Sequence, residues 1–540
     1  MATVGWRETA RRRLEDEDFD LLVVGGGATG AAIARDAATR GLQVALCERG
    51  DFASQTSSQS SKLIHGGLRY LRQGDFHLVF ESLAERRRLL KTAPHLCRPR
   101  EFLYPCYTGR FPSPRLLSLG VGLYDALALW QPPVRSHGLD AGEVYRLVPW
   151  LRSASLLGAQ QYVDCQTDDA RLVLENVLDA VAAGAVAVSY VEIQPDHRRS
   201  GSFRVVQAVD RDQDDRFEIR VRLLVNATGP FCDSFSGGPP RLRPTLGVHL
   251  VMDGGRLPTF GRAVVVHSPR DGRLVFVLPA GRRTIIGTTE TDWPSLPPRP
   301  EDEIRARGSD VDYLLETANH AFPPADLQPN DVISTFAGLR PLIDRGPAAH
   351  TTTSREHAIW SDTRGLLHVA GGKLTTMRSM AEEAVDRAIE MLRDRGFEDA
   401  LRPCQTRARP LPGTGKAEFG LLDLAPDIGA HLNELYGARA DQVFSLVATD
   451  ASLGRRLDPD LPHVAAELLF AIRSDLACEV EDVLRRRVPL ALLSKTQGLD
   501  VAEETADLLA RERGWSEKRR TQSLLQYRTA ISTSRAWQSD

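Results

Sequence analysis

The chain has 540 residues, 42% of them hydrophobic and 26% charged, and 68 Lys and Arg against 71 Asp and Glu leave a net charge of −3. That balance excludes a globally basic nucleic-acid binder and an acidic disordered tail, and the length supplies about three to four domain-sized units. No uncharged apolar run reaches the ~18 residues of a membrane-spanning helix, and the Arg-rich first residues have no apolar stretch behind them, so neither a span nor a secretory signal is expected.

Ordered structure is expected to begin near Phe19. Residues 21–24 are wholly apolar, as a strand covered on both faces requires, and residues 31–40 read as a helix closed by Gly41. Residues 43–47 form a second buried strand ending at Glu48, which completes a β–α–β unit. Residues 116–130 (LLSLGVGLYDALALW) carry a single Asp and suit either a bilayer surface or a buried helix. Apolar strands return at 222–226 and 365–370, so the first sheet is discontinuous in sequence. Short β-rich runs at 247–252, 263–267, 274–278 and 284–287 predict an inserted antiparallel sheet. A Pro-rich connection at 294–300 leads to a charged helix over 302–318. Residues 401–415 hold three prolines and two glycines and read as a linker to a helical domain that includes 464–476 and 480–486. The seven cysteines are widely spaced without a CxxC pair, which points away from a disulfide framework or a zinc cluster and toward the cytoplasm. No metal site is expected.

The segment Gly25-Gly26-Gly27-Ala28-Thr29-Gly30 follows the first strand and opens the helix. Gly25 makes the tight turn, Gly27 keeps the backbone bare where a pyrophosphate approaches, and Gly30 lets helix and strand pack closely. Ala28 and Thr29 present N–H groups at the positive end of the helix dipole, and Glu48 is placed to accept from a ribose diol. This context specifies a dinucleotide. Residues 55–70 (QTSSQSSKLIHGGLRY) then bring the hydroxyls of Thr56, Ser57 and Ser58 together with Lys62, His65 and Gly66, a stretch suited to run beneath a flavin.

Six motifs, SSKLIHGGLRYL, DDARLVLEN, LVNATGP, IIGTTE, AGLRPL and GGKLTT, occur here in the order found in the FAD-dependent, aerobic glycerol-3-phosphate dehydrogenases, and the chain resembles that family from about residue 19 to 378. The likeness continues more loosely through LYG at 435–437 and VEDVLRRRVPLAL at 480–492. It implies a Rossmann-type FAD-binding α/β domain (19–105, 160–240 and 355–398), an inserted mainly antiparallel β substrate domain (106–159 and 241–354) and an all-α C-terminal domain (399–540). It also implies oxidation of sn-glycerol 3-phosphate, with electrons delivered to a quinone. A cytoplasmic protein held peripherally on the inner face of the cell membrane follows from that acceptor, and a homodimer is a candidate assembly.

The family's substrate positions fall on Arg69, Tyr70, Arg340 and Lys373, with Thr289 lining the cavity. Guanidinium forks suit a phosphate dianion, and an ammonium at Lys373 suits a substrate oxygen. Two histidines are candidates for the base, His65 and His249; His249 is preferred because its position faces the substrate in the family, which leaves His65 beside the flavin. Cofactor contacts are assigned to Gly25, Gly27, Ala28, Thr29, Gly30, Glu48, Arg49, Thr56, Ser57, Ser58, Lys62, His65, Gly66, Gly229, Gly372, Leu374 and Thr375, the last three at the start of the final helix of the domain. Asp168, Asp169 and Arg171 read as helix-start and ion-pair residues. Rival readings are an oxygen-using oxidase of the same substrate, an amine-oxidising relative, a non-catalytic flavin-binding regulator and an NAD-linked enzyme.

Overall fold

In the computed structural model, which describes residues 5–71, 75–128, 134–293, 304–344, 356–418 and 424–540, the strand Asp18–Val24 lies at the centre of the first sheet. It is buried on both faces because its apolar residues divide by parity. Leu21 and Val23 join one core with helices Ala28–Arg40, Asp169–Ala182 and Met377–Arg393, while Leu22 and Val24 join another on the opposite face. The strand order is His357–Ser361, Leu367–Gly371, Asp215–Asn226, Asp18–Val24, Val44–Glu48, Val186–Ser189. All neighbours run parallel except the first pair. Val24 stands in register with both Asn226 and Cys47, so the glycine loop, Glu48 and Gly229 leave the sheet at one carboxyl edge. Ligands of doubly wound sheets bind at that edge.

A helix precedes Phe19, contrary to the expectation that order begins there. Trp6–Asp16 is held by charge: Arg7 is fully buried and donates to both oxygens of Asp210, at 3.0 and 2.8 Å, and to the Ser189 carbonyl. An ion-paired helix leaves no apolar stripe to read.

The second sheet has ten strands and is almost wholly antiparallel. It contains the expected strands Thr245–Asp253, Ala263–His267, Leu274–Ala280 and Arg283–Gly287. Val332–Arg340 flanks Thr245–Asp253 on the side away from Arg283–Gly287. Strands Arg98–Tyr107 and Leu156–Gln166 also lie in this sheet, although the expected boundaries at 105/106 and 159/160 cut through them. Their prolines and charges hide the strand pattern, and they pair with each other across an intervening helical stretch.

Helix Gly308–Ala321 covers one face of this sheet, and helices Phe76–Thr92 and Pro114–Leu127 pack on the other. The expected helix over 302–318 thus starts later, and the connection at 294–300 lies outside the described residues, as do 129–130 of the apolar segment. Segment 401–415 is laid along the first domain: Leu411 is buried with its N–H on the Thr92 carbonyl, and the Gly413 N–H meets Glu175. Beyond it the chain is helical, with two apolar cores of its own. Among the described residues, no helix is long and apolar enough to cross a membrane. All seven cysteines are free thiols, six of them buried.

Candidate active site

The glycine loop has the shape the sequence demands. Gly25 has φ +104°, and a Cβ there would press on the Ala227 carbonyl; a Cβ on Gly30 would overlap the Gly25 oxygen. The Ala28 N–H donates to Ser57 Oγ at 2.9 Å, which leaves Ser57 its own hydrogen to donate outward. Glu48 accepts from the Gly26 N–H at 2.7 Å through one oxygen and from the Gly50 N–H at 2.8 Å through the other. Each oxygen keeps lone-pair capacity for a diol. Burial pushes the Glu48 carboxyl up, and the two N–H donors pull it part of the way back. Loop, helix terminus and carboxylate together fit a dinucleotide such as FAD.

Segment 55–71 ties this edge to the second sheet. Thr56 Oγ1 donates to the Leu339 carbonyl at 2.7 Å, and Gln59 packs where a side chain on Gly338 would stand. Ser61 Oγ lies 2.8 Å from His249 Nε2. The His65 N–H donates to Thr375 Oγ1 at 3.2 Å, and the Gly66 N–H to Tyr124 OH at 2.8 Å. Lys62 is drawn to buried Asp169, the helix-start carboxylate, and Ser58 supplies its carbonyl. Lys62 therefore braces the segment.

His249 and Arg340 project from one face of neighbouring strands. His249 is in register with Phe336 and stacks on its ring, with centroids 4.5 Å apart; Thr245 is in register with Arg340. Gly247 lies between, and a Cβ there would collide with the guanidinium, so Arg340 can lie flat across the strand toward His249. Arg340 Nη2 donates to Thr288 Oγ1 at 2.8 Å and to the Thr289 carbonyl at 3.3 Å. The Thr289 hydroxyl is committed to the Val248 N–H at 3.0 Å, so Thr288 is the threonine whose side chain meets Arg340.

His249 is only 1% exposed, and its Nδ1 has no hydrogen-bond partner among the described residues. Burial, then the charges of Arg340 and Lys62, hold its pKa well below the ordinary imidazole value.

Lys373 follows Gly371 and Gly372, both at positive φ, and Leu374–Thr376 then makes the turn into helix Met377–Arg393. The Lys373 ammonium donates to Ser82 Oγ at 3.2 Å and sits 3.9 Å from the centroid of the buried Tyr70 ring. Tyr70 thus offers its face to a cation. The side chain of Arg69 lies outside the described residues.

The structure therefore brings the predicted residues into three groups, around Gly25–Glu48, His249–Arg340 and Tyr70–Lys373, joined through segment 55–71. Gly229 turns at φ +59° on the same sheet edge, and the Arg49 carbonyl accepts from Arg211. The sequence reading overlooked Ser61, Ser82, Gly247 and Phe336 as members of the site. Gly247, two residues before His249 on an alternating strand, was the one signal available.

Residues 20–387 match the family described as FAD dependent oxidoreductase, and residues 404–520 match the C-terminal domain of alpha-glycerophosphate oxidase. The chain is 33% identical over 526 residues to the aerobic glycerol-3-phosphate dehydrogenase of Staphylococcus aureus (strain USA300), covering 93% of this chain and 92% of that one. The solved glycerol-3-phosphate dehydrogenase from Bacillus halodurans, complexed with FAD, superposes with a TM-score of 0.79 at 30% identity, over 99% of this chain and 98% of that one. L-alpha-glycerophosphate oxidase from Mycoplasma pneumoniae shares the fold, at 17% identity and a TM-score of 0.56 over 73% of this chain and 99% of that one.

Proposed function

This chain belongs to the family of FAD-dependent glycerol-3-phosphate dehydrogenases, and we propose that it oxidises sn-glycerol 3-phosphate to dihydroxyacetone phosphate and passes the electrons to a quinone. The observation that carries this reading is the shared face of His249 and Arg340, bound by Ser61 and Thr56 to the segment that also caps the glycine loop. FAD, when bound, supplies the two-electron acceptor for the hydrogen on the alcohol carbon. Gly25, Gly27, Ala28, Thr29, Gly30, Glu48, Arg49, Thr56, Ser57 and Ser58 would hold its dinucleotide portion. His65, Gly66, Gly229, Gly372, Leu374 and Thr375 would lie along the remainder.

Arg340, with Arg69 and Lys373, grips the phosphate dianion and the substrate oxygens. A guanidinium laid flat across Gly247 can bind two phosphate oxygens at once. His249 takes the hydroxyl proton. With Nε2–H donated to Ser61, a tautomer inferred from the hydrogen-bond network, Nδ1 carries the lone pair that accepts it. The substrate's negative charge offsets that of Arg340, so binding itself makes His249 a stronger base.

The acceptor is read from the surface. Helix Phe76–Thr92, which carries the Lys373 partner Ser82, exposes Phe76 and Phe80 six and two residues before Ser82. Helix Pro114–Leu127 beside it exposes Leu116, Leu119 and Leu123. An apolar face this near the site suits an acceptor dissolved in lipid and peripheral attachment of the protein. Oxygen is the second reading, favoured by the match of residues 404–520 to an oxidase domain. Both are tested by mixing the yellow protein anaerobically with a panel of polyol phosphates. Glycerol 3-phosphate is expected to bleach the flavin while glycerol does not, and quinone is expected to restore the colour faster than air. No bleaching would end the substrate assignment; stoichiometric peroxide in air with no quinone reduction would replace the acceptor.

A further inference from the structure

Three potential metal ligands outside the proposed active site meet between helices Pro426–Tyr436 and Ala465–Ser474 of the C-terminal region. Glu467 Oε1 lies 3.1 Å from His431 Nε2, 3.4 Å from His463 Nδ1 and 3.0 Å from Tyr436 OH. Its other oxygen accepts the Val464 N–H at 2.8 Å. One carboxylate oxygen with two lone pairs therefore faces three polar hydrogens or lone pairs, and the His463 separation is long for a hydrogen bond. All three contacts converge on a single carboxylate oxygen.

The same convergence fits a cation. Ligand atoms about 2.0–2.1 Å from a tetrahedral zinc ion stand about 3.3 Å apart along the tetrahedron's edges. The two nitrogen–oxygen separations bracket that length, and all three ligand atoms lie within 4.8 Å of one another. The His431 and His463 rings meet edge to face at 79°, which lets the two lone pairs converge without stacking. Two imidazoles and a carboxylate are a borderline donor set that suits zinc, and Tyr436 OH and the Val464 N–H supply the outer hydrogen bonds that orient the carboxylate. His463 and Glu467 are buried, while the His431 side chain is 15% exposed, so one ligand reaches the solvent side of the cluster. No local pattern in the sequence marks the cluster, because helix Ala440–Thr449 and its flanking turns separate His431 from His463.

We propose that His431, His463 and Glu467 form a structural site for one divalent transition-metal ion, zinc by preference, which pins the two helices together. The pin reaches the first domain as well. Tyr436 carries the Arg171 guanidinium 4.5 Å from its ring centroid, and Arg171 belongs to helix Asp169–Ala182.

The test uses tag-free, FAD-loaded full-length protein, stripped with EDTA, dialysed and titrated with Zn²⁺. The expected result is one equivalent bound per chain, a higher Tm on binding, and visible bands of tetrahedral geometry when Co²⁺ replaces Zn²⁺. His431→Gln, at the partly exposed ligand, should weaken binding by about 100-fold or more, and Tyr436→Phe by about 10- to 100-fold. Absence of a stoichiometric Zn²⁺ equivalent, or a His431→Gln protein that binds as tightly as wild type, would overturn the proposal. Either outcome leaves the flavin assay unaffected, so failure here is separable from failure of the dehydrogenase reading.

Discussion

Arg340 and His249 form one electrostatic unit, and their variants should behave accordingly. With Arg340 as the proposed phosphate ligand, Arg340→Ala would remove a charge-assisted contact to the dianion and cost about 1.5–3 kcal/mol, or about 10- to 150-fold in kcat/KM. FAD should stay bound, because Arg340 is anchored by Thr288 and Thr289 of the second sheet rather than by the glycine loop. Steady-state kinetics together with the flavin spectrum separate the two effects. His249→Ala should slow single-turnover flavin reduction by about 100- to 10,000-fold with little change in substrate affinity. The pH profile carries a sign. Burial is the first cause of the low His249 pKa and the Arg340 charge the second, so Arg340→Gln should raise that pKa and move the acid limb of flavin reduction toward pH ~6.5. Stability follows the same logic. The unfolded chain binds this proton more readily than the folded one, so the His249 contribution is complete above pH ~6.5 and is lost as pH falls toward the depressed folded value.

At the scale of elements, the turn after the second strand is clamped from both sides. Glu48 and Ala53 bond the glycine loop, and Asp51 between them is buried under Arg486 and Arg487 from the C-terminal region. Burial alone would push the Asp51 carboxyl up, but the two guanidinium groups outweigh it and hold it below the usual range. Arg487→Ala leaves a buried carboxylate short of a partner, a change that costs about 3–5 kcal/mol. The expected outcome is a lower Tm and an FAD dissociation constant raised about tenfold or more, read from the fluorescence of released flavin. Unaltered flavin affinity with a lowered Tm would confine the clamp to folding. The same contrast explains what was legible in the sequence. The strand, glycine turn, helix and Glu48 are contiguous, so period and turn chemistry reveal them. Asp51–Arg487, Ser61–His249 and Thr56–Leu339 join residues 188 to 436 positions apart, and no local pattern records such pairings. Strand Arg98–Tyr107 was missed for a related reason: its pairing with Leu156–Gln166 stabilises it despite its prolines and charges.

At the scale of the whole molecule, the proposed quinone acceptor requires a route to lipid that does not depend on a spanning helix, since the described residues contain none. Helix Pro114–Leu127 turns Leu117, Val121 and Tyr124 into the protein and leaves Leu116, Leu119 and Leu123 outside, with Leu119 71% exposed. Arg110 and Arg115 stand exposed beside them. Transfer of the exposed parts of these leucines into lipid would contribute up to about 1.5–3 kcal/mol each, and each arginine about 1 kcal/mol at an anionic leaflet, so the proposed attachment would be reversible even at a net charge of −3. Replacing Leu119 and Leu123 together by Asp places two charges on that face without touching the inward side. The wild-type protein is expected to sediment with anionic vesicles containing quinone and to reduce that quinone. The double variant is expected to remain in the supernatant, to reduce vesicle quinone far more slowly, and to reduce a water-soluble dye at the wild-type rate. That dye control decides the matter: if both activities fall together, the leucines support the fold, and if neither falls, the acceptor reaches the flavin by another surface.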